Sequence, residues 1–393
     1  MRVLTSNLFA LLFLSVFAGV FYVWSALEDR PERHKRGFGA FSPQLPVDLS
    51  AKTSRTLLTV PLARTPEEHH PDDASGNASV ETSVPPVEDG VFWSGRLEAL
   101  LPLGFPEEHA RAWRGGARTA RVVKLEPGCG RVSNRLATFA DGSRACVRYG
   151  INADQVQGET LTYYLACLLG ITNLPPLVLS PLYSEQWAAV RTRVEGLQWS
   201  ERAVVSLTEW VSDLTGVVTP APLRPESSGL HPELRNKTTA ELLDLMQWSD
   251  LIIFDYLTAN FDRLVSNLFS LQWDPRVMER DTNNLLKTPR GNLVFIDNEA
   301  GLVHGYRVLN MWEKYHQAVL SSVCVFRRTT ARRVAELHRR RDARRRLMEL
   351  YRDSEPLSAK LGFLSDEHAA VLQDRIDIVH THILHCKDKY GQL

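Results

Sequence analysis

The chain has 393 residues, and its 46 Lys plus Arg balance 46 Asp plus Glu at a pI near 7.2, which excludes a nucleic-acid binder working through bulk charge and an acidic solvating tail. With 44 % hydrophobic and 23 % charged residues it is not a wholly disordered chain, and at about 150 residues per domain it has room for two or three. Five cysteines with no C-x-x-C pair exclude a disulfide-scaffold miniprotein and offer no zinc or thioredoxin motif.

From Val3 to Leu27 there is no charge. Residues 8–27 form an apolar run of twenty, about 30 Å as a helix, which matches a bilayer's hydrocarbon core. The run is long for a signal-peptide h-region, and Trp24-Ser25-Ala26 puts a bulky ring where cleavage wants a small residue. An uncleaved signal anchor is therefore expected over 8–27, behind a cytoplasmic tail of residues 1–7. Arg30, Arg33, Lys35 and Arg36 follow the run, so a literal positive-inside count would leave the rest of the chain in the cytosol. The glycosylation sequons at Asn77 and Asn236 point instead to the lumen. Arg33-His34-Lys35-Arg36 fits a furin-type processing site ending at Arg36, and equally a basic juxtamembrane flank.

Residues 28–90 read as a disordered lumenal stem, because Pro, Ser, Thr, Asp and Glu dominate and no period of 3.6 or 2 is sustained. The remaining 300 or so residues suffice for two lobes, expected over 91–205 and 206–393. In the first, Asn134–Phe139 and Arg144–Tyr149 flank Asp141-Gly142, a dipeptide suited to a tight primed turn. A helix follows from Gln155 to Leu169, with its apolar residues largely along one face, and Pro175-Pro176 ends that segment. The second lobe opens on Thr238-x-x-Glu241, a capping-box pattern ahead of a helix apolar nearly all round past Ser249. Strands are predicted at Asn267–Gln272 and Asn292–Ile296, the latter after Arg290-Gly291, and helices from Thr329 to Gly391.

Asp262 follows the core helix, Asn267 comes five residues later, and Asp297-Asn298-Glu299 closes the second predicted strand. A carboxylate, an amide and a second carboxylate at a strand end are what phosphoryl transfer needs. The first receives the acceptor's proton, and the others offer hard oxygen ligands to a divalent metal on the nucleotide phosphates. A hairpin of the two predicted strands would gather all three. The spacing alone also fits an Asx-turn at Asp262 and a loop-forming Asp297-Asn298.

Ile252–Asn267 with Asp297-Asn298-Glu299, together with Asn134–Gly142 and His385–Gly391, resembles the four-jointed proteins, members of the atypical secretory-pathway kinases that include the Golgi casein kinase. The resemblance runs from about Gly128 to Gly391. It implies an α+β, atypical bilobal protein-kinase-like fold behind the anchor and stem, type II in the Golgi membrane with a lumenal catalytic domain, or secreted after cleavage. The implied activity is Ser/Thr phosphorylation with ATP and Mn²⁺ or Mg²⁺. The implied partners are extracellular cadherin repeats of Fat and Dachsous type, which links the chain to planar cell polarity and growth signalling; no nucleic acid is implied. Residue by residue, Asp262 matches the catalytic Asp, Asp297 the metal-binding Asp, Asn267 the second metal ligand, and Glu159 the helix Glu that orients the phosphate-contacting cation, with Glu299 supporting the metal shell. Arg148 stands where kinases carry Lys. That departure leaves open a pseudokinase or secreted ligand, and a glycan kinase is a further alternative. Cys324 and Cys386 resemble a structural disulfide pair of related kinases.

Cys129 can pair with Cys146 across the first hairpin, leaving Cys167 over as a buried thiol on an apolar helix face. His382-x-x-His385-Cys386 has metal-ligand types at helical spacing but no further ligand nearby. Ten Arg fall within Arg327–Arg346. They fit either a solvated face of an amphipathic helix or a site for a sulfated glycan or an acidic substrate.

Overall fold

Regular structure begins inside the stretch expected to be stem. In the computed structural model, which describes residues 85–150, 153–234 and 236–391, β1 (Val87–Glu88) pairs antiparallel with β2 (Phe92–Trp93) across Asp89-Gly90, both residues at positive φ. Buried Trp93 donates its indole N–H to Ser249 Oγ at 3.2 Å and so fastens this hairpin to the core. The expected anchor over 8–27, Arg36, Asn77 and the earlier stem lie outside the described residues. Helices α1 (Gly95–Ala99) and α2 (Glu107–Thr119) follow.

The first lobe is a five-stranded antiparallel sheet in the order β3-β4-β5-β7-β6, formed by β3 (Val122–Pro127), β4 (Arg135–Phe139), β5 (Arg144–Arg148), β6 (Leu177–Pro181) and β7 (Val204–Glu209). The predicted hairpin is β4–β5, but its turn is not primed. Gly142 has φ +85° while Asp141 stays at negative φ, and Gly142 N–H bonds to Phe139 O at 3.0 Å, as in a three-residue loop closed by a left-handed glycine. The boundary expected after residue 205 cuts β7. Between β5 and β6 runs α3 (Ala153–Leu169), where a helix is predicted. It is not one-faced, since Thr160, Thr162, Tyr163 and Ala166 are buried along with Val156, Leu161, Tyr164 and Leu165. A short α4 (Arg191–Gly196) precedes β7.

The second lobe is built on α5 (Thr239–Thr258). Its capping box is complete, with Glu241 N–H donating to Thr238 Oγ1 and Thr238 N–H to Glu241 Oε2. Every residue from Leu245 to Thr258 is buried, so this is the core helix that the sequence predicts. Where a strand is predicted at Asn267–Gln272 the chain instead forms α6 (Leu264–Ser270). A small sheet in the order β10-β9-β8 joins β8 (Thr215–Val218), β9 (Asp281–Lys287) and β10 (Leu293–Phe295). β10 is thus found as predicted, paired with β9 and not with residues 267–272. Helices α7 (Val303–Arg307), α8 (Leu309–Ser321), α9 (Arg328–Arg340), α10 (Ala343–Ser354), α11 (Ser358–Leu361) and α12 (Asp366–Tyr390) complete the chain.

Two apolar clusters result. One lies on the five-stranded sheet around Val122, Phe139, Val147, Trp187 and Leu207; the larger joins α3, α5, α9 and α12. Both disulfides form, Cys129–Cys146 and Cys324–Cys386. Cys167 remains a free thiol, partly buried, and burial pushes it up to about 11. The disulfide consumes Cys386 as a metal ligand, His382 is bonded to the Val323 carbonyl at 2.7 Å, and His385 is exposed. Asn236 is exposed, as a glycan acceptor must be.

His316 of α8 is buried edge-on against Tyr256 of α5, with ring centroids 6.3 Å apart. Burial, and then the nearby Arg375 charge, hold its imidazole down at about 3. An unfolded His protonates near pH 6.5. Below that pH the unfolded state binds a proton that the folded state refuses, so stability falls as pH drops. We expect this group to remove about 2 kcal/mol between pH 7 and pH 5 and His316→Phe to flatten that loss in urea unfolding. Equal pH dependence in the two proteins would refute a neutral buried His316.

Candidate active site

The two sheets and α3 enclose a cleft of about 580 Å³, lined among others by Cys129, Gly130, Arg148, Glu159, Asn284 and Asp297. Arg148 ends β5 and is buried. Its guanidinium is ion-paired with Asp297 and Glu299, while Glu159 Oε2 is 3.8 Å away. The dominant partners of Arg148 are therefore the Asp-Asn-Glu carboxylates, with the helix Glu second. Glu299 also accepts from Arg131 at 2.5 Å.

Glu159 reaches this cluster because α3 packs hard against the turn after β10. A Cβ on Gly158 would lie 3.0 Å from Glu299 O and 3.2 Å from Gly301 O, so any larger residue would push the helix away. Burial raises the Glu159 carboxyl above the usual range, against the pull of Arg148, and its Oε2 has no hydrogen-bond partner among the described residues. Asp297 itself takes a left-handed backbone at φ +54° as the chain leaves β10. This is an uncommon conformation for a non-glycine residue, of the kind found at functional sites.

Asp262 is half-buried beyond the left-handed end of α5 at Ala259. Its own N–H bonds to Asn260 Oδ1 at 3.0 Å, so Asn260 forms the Asx-turn and the Asp262 carboxylate is left for other work. That carboxylate accepts from Asn284 Nδ2 at 2.9 Å. Burial raises its pKa, with Arg263 and the Asn284 bond acting the other way.

Asn267 is not where the sequence expects it. It lies on α6, not on a strand, and is buried with its amide nitrogen unbonded among the described residues; like Asp262, it is not itself among the residues that line the cleft. The amide beside Asp262 is Asn284, on β9. The reason is α6 itself: a helix turns Phe269 onto Trp312 and Tyr315 of α8, at ring distances of 5.0 and 5.5 Å, and Phe261 stacks on Trp312 at 4.9 Å. Asn284 carries one signal in the sequence, its place in Asn283-Asn284, a residue type that tolerates the left-handed φ of +56° it adopts.

Arg263, also unflagged by the sequence, is fully buried and holds the site together. It pairs with Asp255 at 2.6 Å, donates to the carbonyls of Asn284 at 3.2 Å and Ile296 at 3.0 Å, and bonds to Asn298 Oδ1. One guanidinium thereby ties α5, β9 and the Asp297 turn to the residue next to Asp262.

The four-jointed box protein middle-domain model matches residues 108–389. The chain belongs to the four-jointed box family. It is 68 % identical to four-jointed box protein 1 of Xiphophorus maculatus over the whole of both chains. It is also 35 % identical to the Drosophila melanogaster extracellular serine/threonine protein kinase four-jointed, covering 82 % of this chain and 66 % of that one. The crystal structure of the Golgi casein kinase superposes with a TM-score of 0.50 at 13 % identity, over 73 % of this chain and 78 % of that one. The four-jointed box fold is thus α+β and protein-kinase-like.

Removing Arg263 strands Asp255, whose carboxyl burial already raises to about 6. Arg263→Met should cost about 3–5 kcal/mol in urea unfolding, and adding Asp255→Asn should restore part of it. Additive losses in the double variant would mean that the pair is not the link.

Proposed function

We propose that this chain is an ATP-dependent serine/threonine protein kinase of the secretory pathway, held by its 8–27 anchor as a type II Golgi membrane protein with the folded part in the lumen, and releasable by cleavage after Arg36. The observation that carries the proposal is a cleft lined by Arg148, Glu159, Asn284 and Asp297, with Glu299 paired to Arg148 and Asp262 bonded to Asn284, in a family whose Drosophila member is named an extracellular serine/threonine protein kinase. Disulfides formed at both Cys pairs fit an oxidising compartment.

The residues fit a nucleotide with Mn²⁺ or Mg²⁺. Glu159, Asp262, Asp297 and Glu299 outnumber Arg131 and Arg148 four to two, and the unpartnered oxygen of Glu159 lies within this group. That leaves carboxylate oxygens, hard donors that suit a divalent cation. Asp297 and Glu299 would hold the metal, which when bound screens the charge of the triphosphate. Asp262 receives the proton of the acceptor hydroxyl on one carboxylate oxygen while Asn284 holds the other. Arg148, exchanging Asp297 for phosphate oxygens, grips the nucleotide in a bidentate fork, with Glu159 behind it. The loop at Gly128-Cys129-Gly130, stapled to β5 by Cys129–Cys146, covers the cleft in place of a mobile glycine loop.

For the acceptor we propose Ser or Thr in extracellular cadherin repeats of Fat and Dachsous type. Phosphorylation adds about −2 charge there, altering their binding and through it planar cell polarity and growth signalling. The engagement of Arg148 by both Asp297 and Glu299 favours one second reading, a pseudokinase that binds nucleotide without transferring from it.

One assay separates the two: labelled phosphate transfer from ATP with Mn²⁺ to a Fat-type cadherin repeat by residues 80–393, one compact unit. Asp262→Asn should lower transfer on the order of 10²–10⁴-fold while nucleotide still raises its melting temperature. Nucleotide binding with no transfer by either protein would refute the kinase reading.

A further inference from the structure

We propose that the exposed face of α9 and α10 is a binding surface for a linear sulfated polyanion of the glycosaminoglycan class. Thr330, Ala331, Val334 and Leu337 turn one side of α9 into the core. The opposite side carries Arg332, Glu336 and Arg339 in one stripe, flanked by Arg333 and Arg340. Arg332 and Arg339 stand two turns apart, about 10 Å along the helix. Arg346 of α10 reaches across to Glu336 at 3.0 Å, so the two helices present one surface.

The compensation is incomplete. Arg327 is taken by Asp250, and Arg328 by Glu88 and Asp89. The other eight arginines of Arg327–Arg346 meet five carboxylates: Glu336, shared by Arg333, Arg340 and Arg346; Asp342 and Glu349 on Arg345; Asp366 on Arg344; and Asp377 on Arg341. Eight against five leaves an excess of three positive charges in this segment of a chain whose formal net charge is zero. Arg332 and Arg339 meet no carboxylate among the described residues, and both are exposed. A helix C-terminus attracts arginines in its last turn, which accounts for Arg339 and Arg340 but not for Arg332 or Arg333.

The form of the surface selects the ligand. It has no buried polar cradle for a single small anion; it is an extended row of forked donors, each suited to pair bidentately with a sulfate or phosphate group. A linear polymer carrying a charge at each repeat matches that row. In the oxidising compartment that the two disulfides indicate, the abundant polymer of this kind is sulfated glycan.

The test uses the full chain on immobilised heparin and on a sulfonate cation exchanger, independent of any kinase activity. Wild type should elute from heparin at clearly higher salt than from the exchanger. Arg332→Ser with Arg339→Ser should lose that difference and lower the slope of log affinity against log salt by about 2, with the melting temperature unchanged. The Arg332→Lys, Arg339→Lys pair should retain most of the binding. Passage of wild type through heparin at 0.1 M salt, equal elution of wild type and the Ser variant, or displacement by poly-glutamate as effective as by heparin would each overturn the proposal, the last by assigning the face to acidic polypeptides.

Discussion

A single buried guanidinium, that of Arg263, sets the relation between the parts of this cleft. A charge with no access to water is tolerable only when every donor finds an acceptor. Here the acceptors come from the core helix, from β9 and from the turn behind β10. Meeting that requirement brings together three segments that are up to 43 residues apart in the chain. Asp262, bonded to Arg263 along the backbone, is carried to Asn284, and Asp297 is carried to the same side. The geometry of the site is thus a by-product of satisfying one buried cation.

The second constraint is the close approach of α3 to the Asp297 turn. Gly158 permits it, and Glu159 uses it to stand behind Arg148. Arg148 then lies among three carboxylates. In such a site an ammonium would be a point charge, whereas the guanidinium fork bridges Asp297 and Glu299 at once. The fork thus closes the site on itself through Asp297 and Glu299; under the proposed function, phosphate would have to compete with these carboxylates for Arg148. The disulfide from Cys129 to β5 ties the loop at Cys129-Gly130 to the sheet beside this cleft.

Local readings succeeded where a short stretch carries its own cause. The capping box at Thr238 and Glu241, the apolar girth of α5, the β4–β5 pairing (though not its turn type) and the strand at Leu293–Phe295 each depend on a few neighbouring residues. Failures came where two local readings were equally good. The strand expected at Asn267–Gln272 is short, whereas Leu264, Val265, Leu268 and Phe269 fall in pairs four residues apart, a helical spacing that packing of Phe269 on α8 uses. At Asp281–Lys287, which holds two asparagines, no strand is expected, and it becomes one because β8 and β10 supply hydrogen bonds on both sides.

By itself the sequence determined the chemistry available: Asp262, Asp297, Glu299, Glu159 and Arg148, the cysteines that pair, and the family to which these belong. Their residue types survive any folding error, because a carboxylate or a guanidinium brings its charge wherever the chain places it. Tertiary structure alone decided which amide serves Asp262, which carboxylates hold Arg148 and which arginines of α9 stay uncompensated. Those are relations between residues distant in the chain, set by packing and by the need to satisfy buried charge, and no local pattern encodes them.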